Sequence, residues 1–252
     1  MKNQKTLWIV ASVVLAIVVI ALLVGYVVYL NSEVKNPIVT MEVEGFGTIK
    51  LELYPDVAPN TVKHVVKLVE EGYYNGLIFH RVIPDFMIQG GDKEGTGSGS
   101  LDYALPGEFL ANGFKNDLKH ERGVLSMARG DYSSLGSGLT SYSYNSAGTQ
   151  FFIMTKATTS LDGYYTSFGR VIEGMDVVDA ISNVEVEEED GSDRPLNPPV
   201  ITSMTVDTKG VKYGEPTTVE PFDYNSWIMQ MYGIDMNNMS YDGYEEELDF
   251  GE

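Results

Sequence analysis

The 252-residue chain contains no cysteine. That absence excludes disulfides, thiolate catalysis, cysteine-ligated zinc and a cysteine-linked lipid anchor, while leaving the compartment open. Positive charge is also scarce: 17 Lys and Arg stand against 36 Asp and Glu, a net charge of −19. No basic face can then dominate a phosphate backbone, which argues against a nucleic-acid partner. HERGV at 120–124 begins like a zinc-binding HExxH but lacks the second histidine. GTGSGS at 95–100 looks like a phosphate loop, yet it has Ser100 where a dinucleotide fingerprint needs glycine, so it reads as a flexible loop. There is no G-x-S-x-G nucleophile elbow and no internal repeat. The acidic run at 185–193 lacks the aspartate spacing of an EF-hand and reads as a solvated loop. Neither a metal nor a cofactor is expected.

What the chain does have is apolar material: 43% hydrophobic and 11% aromatic residues, enough for a sizeable core. Residues 7–30 carry no charge over 24 positions, and about 20 suffice to cross a hydrocarbon core. Lys2 and Lys5 precede this run, whereas Glu33 and Lys35 cancel after it. The positive-inside rule puts residues 1–6 in the cytoplasm and the rest of the chain outside, as a single-pass protein of the cell membrane. Trp8, Tyr26 and Tyr29 suit an interfacial belt. A cleaved signal peptide is the rival reading, but its apolar region is shorter and ends at small residues. Residues 31–37 read as a tether and 38–208 as one domain. The acidic tail, 209–252, mixes carboxylates with Tyr, Met, Phe and Trp and reads as disordered or as a segment for an unknown partner.

Within the domain, residues 38–54 read as two strands around a turn at Gly45–Gly47. In the next stretch Val62, Val65, Val66 and Val69 recur at helical spacing, with Pro59 in the first turn, Gly72 as a stop and His64 on the polar side. Residues 123–130, 149–155, 167–174 and 198–207 read as strands, and 175–182 as a second helix. The Ser-, Gly- and Tyr-rich stretch 131–148 reads as a long flexible surface loop. Many short strands, two helices and frequent glycine predict a closed, mostly antiparallel barrel with helices over its ends.

One strand-like run, FHRVIPDFMIQGGD at 79–92, is mostly apolar yet holds Arg81 and Gln89. A guanidinium in a core costs several kcal/mol, roughly, unless it is paired. The run thus raises the question of why a strand-like core segment carries a guanidinium and an amide.

This run, with GVLSMARG, TQFFIMT and LDGYYTSFGRVIEGMDVV, resembles the cyclophilin-type peptidyl-prolyl isomerases in order and approximate spacing. GEF at 107–109, LKHERG at 118–123 and DRPLNPPVI at 193–201 are similar to bacterial, membrane-anchored members. The resemblance spans about 38–207. It implies a mostly β, closed eight-stranded antiparallel barrel capped by two α-helices, here preceded by one transmembrane helix, and it implies cis/trans isomerisation of Xaa-Pro bonds. It places Arg81 as the catalytic arginine and Gln89 as the glutamine that helps hold the arginine and the substrate backbone. Phe86, Met87, Phe152 and Leu161 match proline-pocket positions, and Ala128 and Gln150 match further groove positions. Three residues depart from the family pattern. Tyr165 replaces a groove histidine found in many members. Arg129 replaces an asparagine at a position where the family uses a backbone contact. Ser160 stands where cyclosporin-sensitive members have tryptophan, so weak cyclosporin binding is expected.

The chemistry suits these residue types. Rotation about a peptide C–N bond is resisted by about 18–20 kcal/mol because the nitrogen lone pair is delocalised, and the uncatalysed Xaa-Pro flip is slow. Lowering that barrier needs no nucleophile or metal. It needs fixed donors that favour a pyramidal nitrogen or grip a carbonyl, together with a dry pocket for the proline ring. The expected function is isomerisation of Xaa-Pro bonds in exported or surface polypeptides. The alternative is a membrane-tethered binding module of the same fold with little turnover.

Overall fold

The computed structural model describes residues 2–31, 35–99, 101–187 and 192–232. Helix α1, Lys2–Asn31, contains the apolar segment Trp8–Val27, whose side chains are all exposed. Among the described residues none packs around this segment, which by length and composition is apolar enough to cross a membrane.

Eight strands follow: β1 (Ile38–Val43), β2 (Gly47–Leu53), β3 (Phe79–Ile83), β4 (Met87–Gly90), β5 (Val124–Met127), β6 (Phe151–Met154), β7 (Ser167–Glu173) and β8 (Ile201–Asp207). All their pairings are antiparallel, in the order β3-β4-β6-β5-β7-β2-β1-β8. The expected closed barrel is instead an open eight-stranded sheet. Its two end strands approach through Phe79 N donating to Pro199 O at 3.0 Å, Ile201 N donating to Leu77 O at 2.7 Å and a single Ile78–Val200 bridge. Pro198 and Pro199 lie directly before β8 and have no N–H to donate, so a continuous ladder between the two ends is not available there.

The run at 79–92 is not one strand but a hairpin. Pro84 sets the turn, Asp85 takes φ +58°, and Phe86 N donates to Ile83 O at 3.2 Å. Proline followed by a residue at positive φ is the pattern of a type II turn, and aspartate tolerates that region better than most residues.

Helix α2, Pro59–Glu70, has the expected bounds, with Gly72 at φ +70° closing it. Its buried face is wider than the valine pattern suggests, because His64 is enclosed rather than solvent-facing. The helix start has no local side-chain cap. Glu108 supplies one from a distance: its carboxylate accepts from Asn60 N at 2.9 Å and Thr61 N at 2.8 Å. A carboxylate at a helix N-terminus satisfies orphan donors and opposes the helix dipole. Helix α4, Met175–Ser182, packs through Val178 and Ile181. Both helices join Val39, Met41, Ile49, Leu51, Phe79 and Ile88 in the main core.

The loop at 131–148 is built rather than loose. It holds two 3-10 turns and helix α3, Thr140–Tyr144, and is tied by Tyr132 N donating to Ser143 Oγ at 2.9 Å and Gly130 N to Ser146 Oγ at 2.8 Å. The tail is described as far as residue 232. It forms contacts with the domain and ends in helix α5, Tyr224–Met231; residues 233–252 lie outside the described residues.

Candidate active site

The β3–β4–β6 register builds the site. A register shift between Phe79 and Arg81 means that Phe79 and Val82 both reach the core, while Arg81 is turned to the other face. Without the shift, residues two apart would share a face. Arg81 then lies opposite Gln89, Gln89 opposite Phe152, and Phe152 opposite Ser126. Directly opposed residues share a face, so a guanidinium, an amide and a phenyl ring stand in one row across three strands.

Beside this row lies a cavity of about 210 Å³. Arg81, Gln89, Phe86 and Met87 line it from the hairpin, Ala128 and Arg129 from the end of β5, and Phe152, Leu161 and Tyr165 from the far side. Pockets for drug-sized ligands measure roughly 300–1,000 Å³, so this smaller cavity suits something nearer a single ring. Of the ten site residues expected from sequence, only Gln150 falls outside it, in the neighbouring cavity. The floor is a second apolar cluster, separate from the main core, in which Met87, Val124, Phe152 and Met154 are buried and Phe86, Leu161 and Tyr165 pack against them.

Arg81 is held differently from expectation. Gln89 donates its amide to Gln150 Oε1 at 2.9 Å and is not the arginine's partner. Instead, Arg81 Nε donates to Asp193 Oδ2 at 3.1 Å, and Nη2 is 3.1 Å from the same oxygen. Among the described residues Asp193 is the guanidinium's partner, and a guanidinium has five N–H donors, so several remain for a substrate. Asp193 closes the acidic run that reads as merely solvated, and it sits at φ +55° while its carbonyl accepts from Val82 N at 2.8 Å. It lies 112 positions from Arg81, and no local pattern links the two.

Arg129 and Tyr165, two of the departures, meet: the guanidinium sits 4.5 Å from the Tyr165 ring centroid, within cation–π range. Arg129 Nε also donates to Tyr164 O at 3.1 Å. The arginine thus braces the cavity wall.

Behind Phe152 stands an arrangement that sequence reading missed. His120 stacks on Phe152 with ring centroids 6.2 Å apart and 19° between planes. Its Nδ1 is 3.1 Å from Asp162 Oδ1 and its Nε2 3.0 Å from Ser126 Oγ. A carboxylate only accepts, so Nδ1 carries the proton and Nε2 accepts from the serine hydroxyl. The order Asp–His–Ser resembles a hydrolytic triad, but Ser126 is fully enclosed and no substrate carbonyl reaches it. The set braces Phe152 from behind. Burial lowers the His120 pKa, outweighing Asp162, which raises it. Asp162 is itself raised by burial, but the backbone and ring hydrogen bonds from His120 prevail and lower it.

The glycine-rich loop that imitates a phosphate loop has its anion within the chain. Asp92 accepts from Glu94 N and Thr96 N at 2.9 Å, and from Gly97 N at 2.6 Å. Burial pushes Asp92 up, but these backbone donors win and lower its pKa. A Cβ on Gly99 would collide with the Asp92 carboxylate. Gly99→Ala is therefore expected to cost about 1–3 kcal/mol in denaturant unfolding, the usual range for overpacking, and unchanged stability would refute the wrapped carboxylate.

The family model for cyclophilin type peptidyl-prolyl cis-trans isomerases matches residues 38–206. Peptidyl-prolyl cis-trans isomerase-like 1 of Emericella nidulans is 42% identical over 152 residues, 60% of this chain and 83% of that protein. Peptidyl-prolyl cis-trans isomerase-like 2 of Rhizopus delemar is 36% identical over 169 residues, 67% of this chain. The chain spans only 29% of that longer relative. Both relatives are fungal, which does not carry the likeness to bacterial, membrane-anchored members. A crystal structure of the cyclophilin type peptidyl-prolyl cis-trans isomerase of Cryptosporidium parvum superposes with a TM-score of 0.58 at 29% identity, covering 68% of this chain and 97% of that one. With sheet, groove and matched residues in agreement, the chain belongs to the cyclophilin-type peptidyl-prolyl cis-trans isomerase family.

Proposed function

We propose that the domain accelerates cis/trans isomerisation of Xaa-Pro bonds in polypeptides. The observation that carries this reading is the Arg81–Gln89–Phe152 row beside a ring-sized, apolar-floored cavity. The proline ring sits on Met87 and Phe152. Arg81, anchored by Asp193, offers its remaining N–H groups to the imide nitrogen or an adjacent carbonyl as the bond twists. Gln89 keeps its carbonyl oxygen and second N–H for the substrate backbone, while Gln150, which accepts from Gln89 and donates to Gly97 O and Gly99 O, holds that amide in place. Preorganised donors of this kind need no reorientation at the moment of rotation. The direct test is exchange spectroscopy on a short Ala-Pro peptide with the full-length chain in nanodiscs. Acceleration at micromolar enzyme is expected, and its absence would end the enzyme reading.

The bacterial, membrane-anchored form is part of the same proposal, with exported or surface polypeptides as clients. It is supported by the exposed apolar helix Trp8–Val27 and by the lysines before it. A reporter fused at the C-terminus should be active only outside the cytoplasm; cytoplasmic activity would reverse this topology. A binding module with little turnover is favoured by the built loop and tail at the groove border, and it predicts peptide line shifts without exchange. Ser160 is exposed in the turn Thr159–Leu161. Cyclosporin is accordingly expected to inhibit weakly, and nanomolar inhibition would contradict the role given to the missing indole.

A further inference from the structure

The tail beyond β8 does not leave the domain at once. Lys67 Nζ pairs with Glu215 at 2.5 Å. Asn60 and Thr217 exchange two hydrogen bonds of 2.8 and 2.7 Å. Ala104 and Val219 exchange two more, each of 2.9 Å. These contacts lay the segment along α2, from Lys67 in its last turn to Asn60 at its start, and onto the loop before Glu108. They deliver Phe222 between two tyrosines of the built loop, with ring centroids 4.4 Å from Tyr132 and 5.2 Å from Tyr142. Trp227 of α5, which follows an Asp223 cap, backs Phe222 at 6.0 Å.

Phe222, Pro221 and Tyr132 then border a second cavity of about 310 Å³. It shares Gln89, Ala128 and Arg129 with the ring-sized cavity, so the two form one continuous groove. Cavities that share three lining residues are immediate neighbours, and an extended polypeptide advances about 3.3 Å per residue, so a client seated in the first enters the second after a few residues. The second cavity is larger, and aromatic rings wall it: Tyr103, Tyr132 and Phe222. Beside these rings and the small apolar Ala104 and Ala128, it offers polar groups from Ser146, Thr149 and Gln150. A side chain with a flat apolar body and a hydrogen-bonding tip matches such a lining.

Resting on the isomerase reading, we infer that residues 210–223 are a fixed wall of the substrate groove and that Phe222, clamped by Tyr132 and Tyr142, selects clients with a tyrosine two or three residues from the proline. The segment is a specificity element of the enzyme rather than an independent tail.

The test uses the full-length chain in nanodiscs and peptides of equal length around one Ala-Pro bond. Tyrosine or alanine is placed two or three residues to either side. In the parent protein the tyrosine peptide on one side is expected to show about tenfold higher kcat/KM than its alanine partner, the scale of one good aromatic contact. Phe222→Ala, and Phe222→Leu, which keeps the apolar bulk, should bring that ratio to about one. A ratio unchanged in both variants overturns the inference. So does a rise in turnover of every long peptide, because the segment would then be an obstruction. If no peptide is turned over, the isomerase reading fails, while calorimetric affinities for the same peptide pairs still decide the wall.

Discussion

Replacing Arg81 by alanine is expected to lower kcat/KM on an Ala-Pro peptide by a factor on the order of 100, the cost of losing one preorganised donor group, or about 2.7 kcal/mol of barrier. Stability should barely change. The Arg81 and Asp193 side chains are 42% and 34% exposed, so water takes over what each loses, and partly exposed ion pairs contribute little. The fork itself matters for catalysis. Nε and Nη2 both face Asp193 Oδ2, which orients the plane of a guanidinium that also lines the cavity. Lysine has the charge but a single flexible head, and it cannot hold Asp193 and a substrate in fixed geometry together. Arg81→Lys should therefore recover less than about a tenth of the lost rate. Asp193→Asn keeps the size and removes the charge. An intermediate loss, roughly three- to tenfold, is expected there because a neutral acceptor holds a guanidinium less firmly. Activity of Arg81→Ala within twofold of the parent would remove the arginine from the mechanism.

A second large effect is loss of stability in mild acid, well above the range where carboxylates titrate. His64 is fully enclosed, and its Nε2 lies 3.0 Å from Gly148 O. The carbonyl accepts, so Nε2 carries the proton, and Nδ1 is buried without a partner. Charging the ring would bury a cation and add a donor with nothing to receive it. Burial accordingly lowers the His64 pKa to about 4. His80 and His120 are lowered as well, mainly by burial.

The unfolded chain binds these protons near pH 6.5 and the folded chain does not. The folded state thus holds its full stability above that value and loses it as pH falls toward the folded-state pKa. For His64 alone, the interval from about 6.5 to about 4 corresponds to roughly 3 kcal/mol. That is a large part of the 5–15 kcal/mol typical of domains. The lowered Asp92 and Asp162 act in the same direction, but only below about pH 4, so the two windows separate. Denaturant unfolding at pH 7 and pH 4.5 should show most of this loss. His64→Gln keeps an N–H for Gly148 O but does not titrate, and its pH profile should be flatter by up to about 3 kcal/mol. Parallel profiles for parent and variant would exclude His64 as the source.

Much of this could be read directly from the residues. The valine spacing from Val62 to Val69, with Pro59 before and Gly72 after, specifies α2 because helix period and end signals are local. The Gly45–Gly47 turn between alternating strands is local in the same sense. Nine of the ten expected site residues share one cavity because their motifs lie on adjacent strands. The apolar stretch at 7–30 is also a property of composition.

Other features depended on contacts between distant positions. The partner of Arg81 is Asp193, the brace behind Phe152 is His120 with Asp162 and Ser126, and the cap of α2 is Glu108. Apart from His120 and Ser126, six positions apart, each joins short segments separated by intervening strands, and a hydrogen bond leaves no periodic trace in either. His64 falls outside the valine stripe of α2, yet the loop around Tyr103 and Gly148 covers it. The open sheet follows from two prolines before β8, whose effect depends on which strand end lies opposite. The chain alone therefore determined its strands, its first helices, the apolar run at its N-terminus and the residues of its groove. Only the tertiary structure decided how Arg81 is held, which rings are braced, and that residues 210–223 run back to border the groove, because those outcomes depend on the approach of segments whose sequences carry no record of one another.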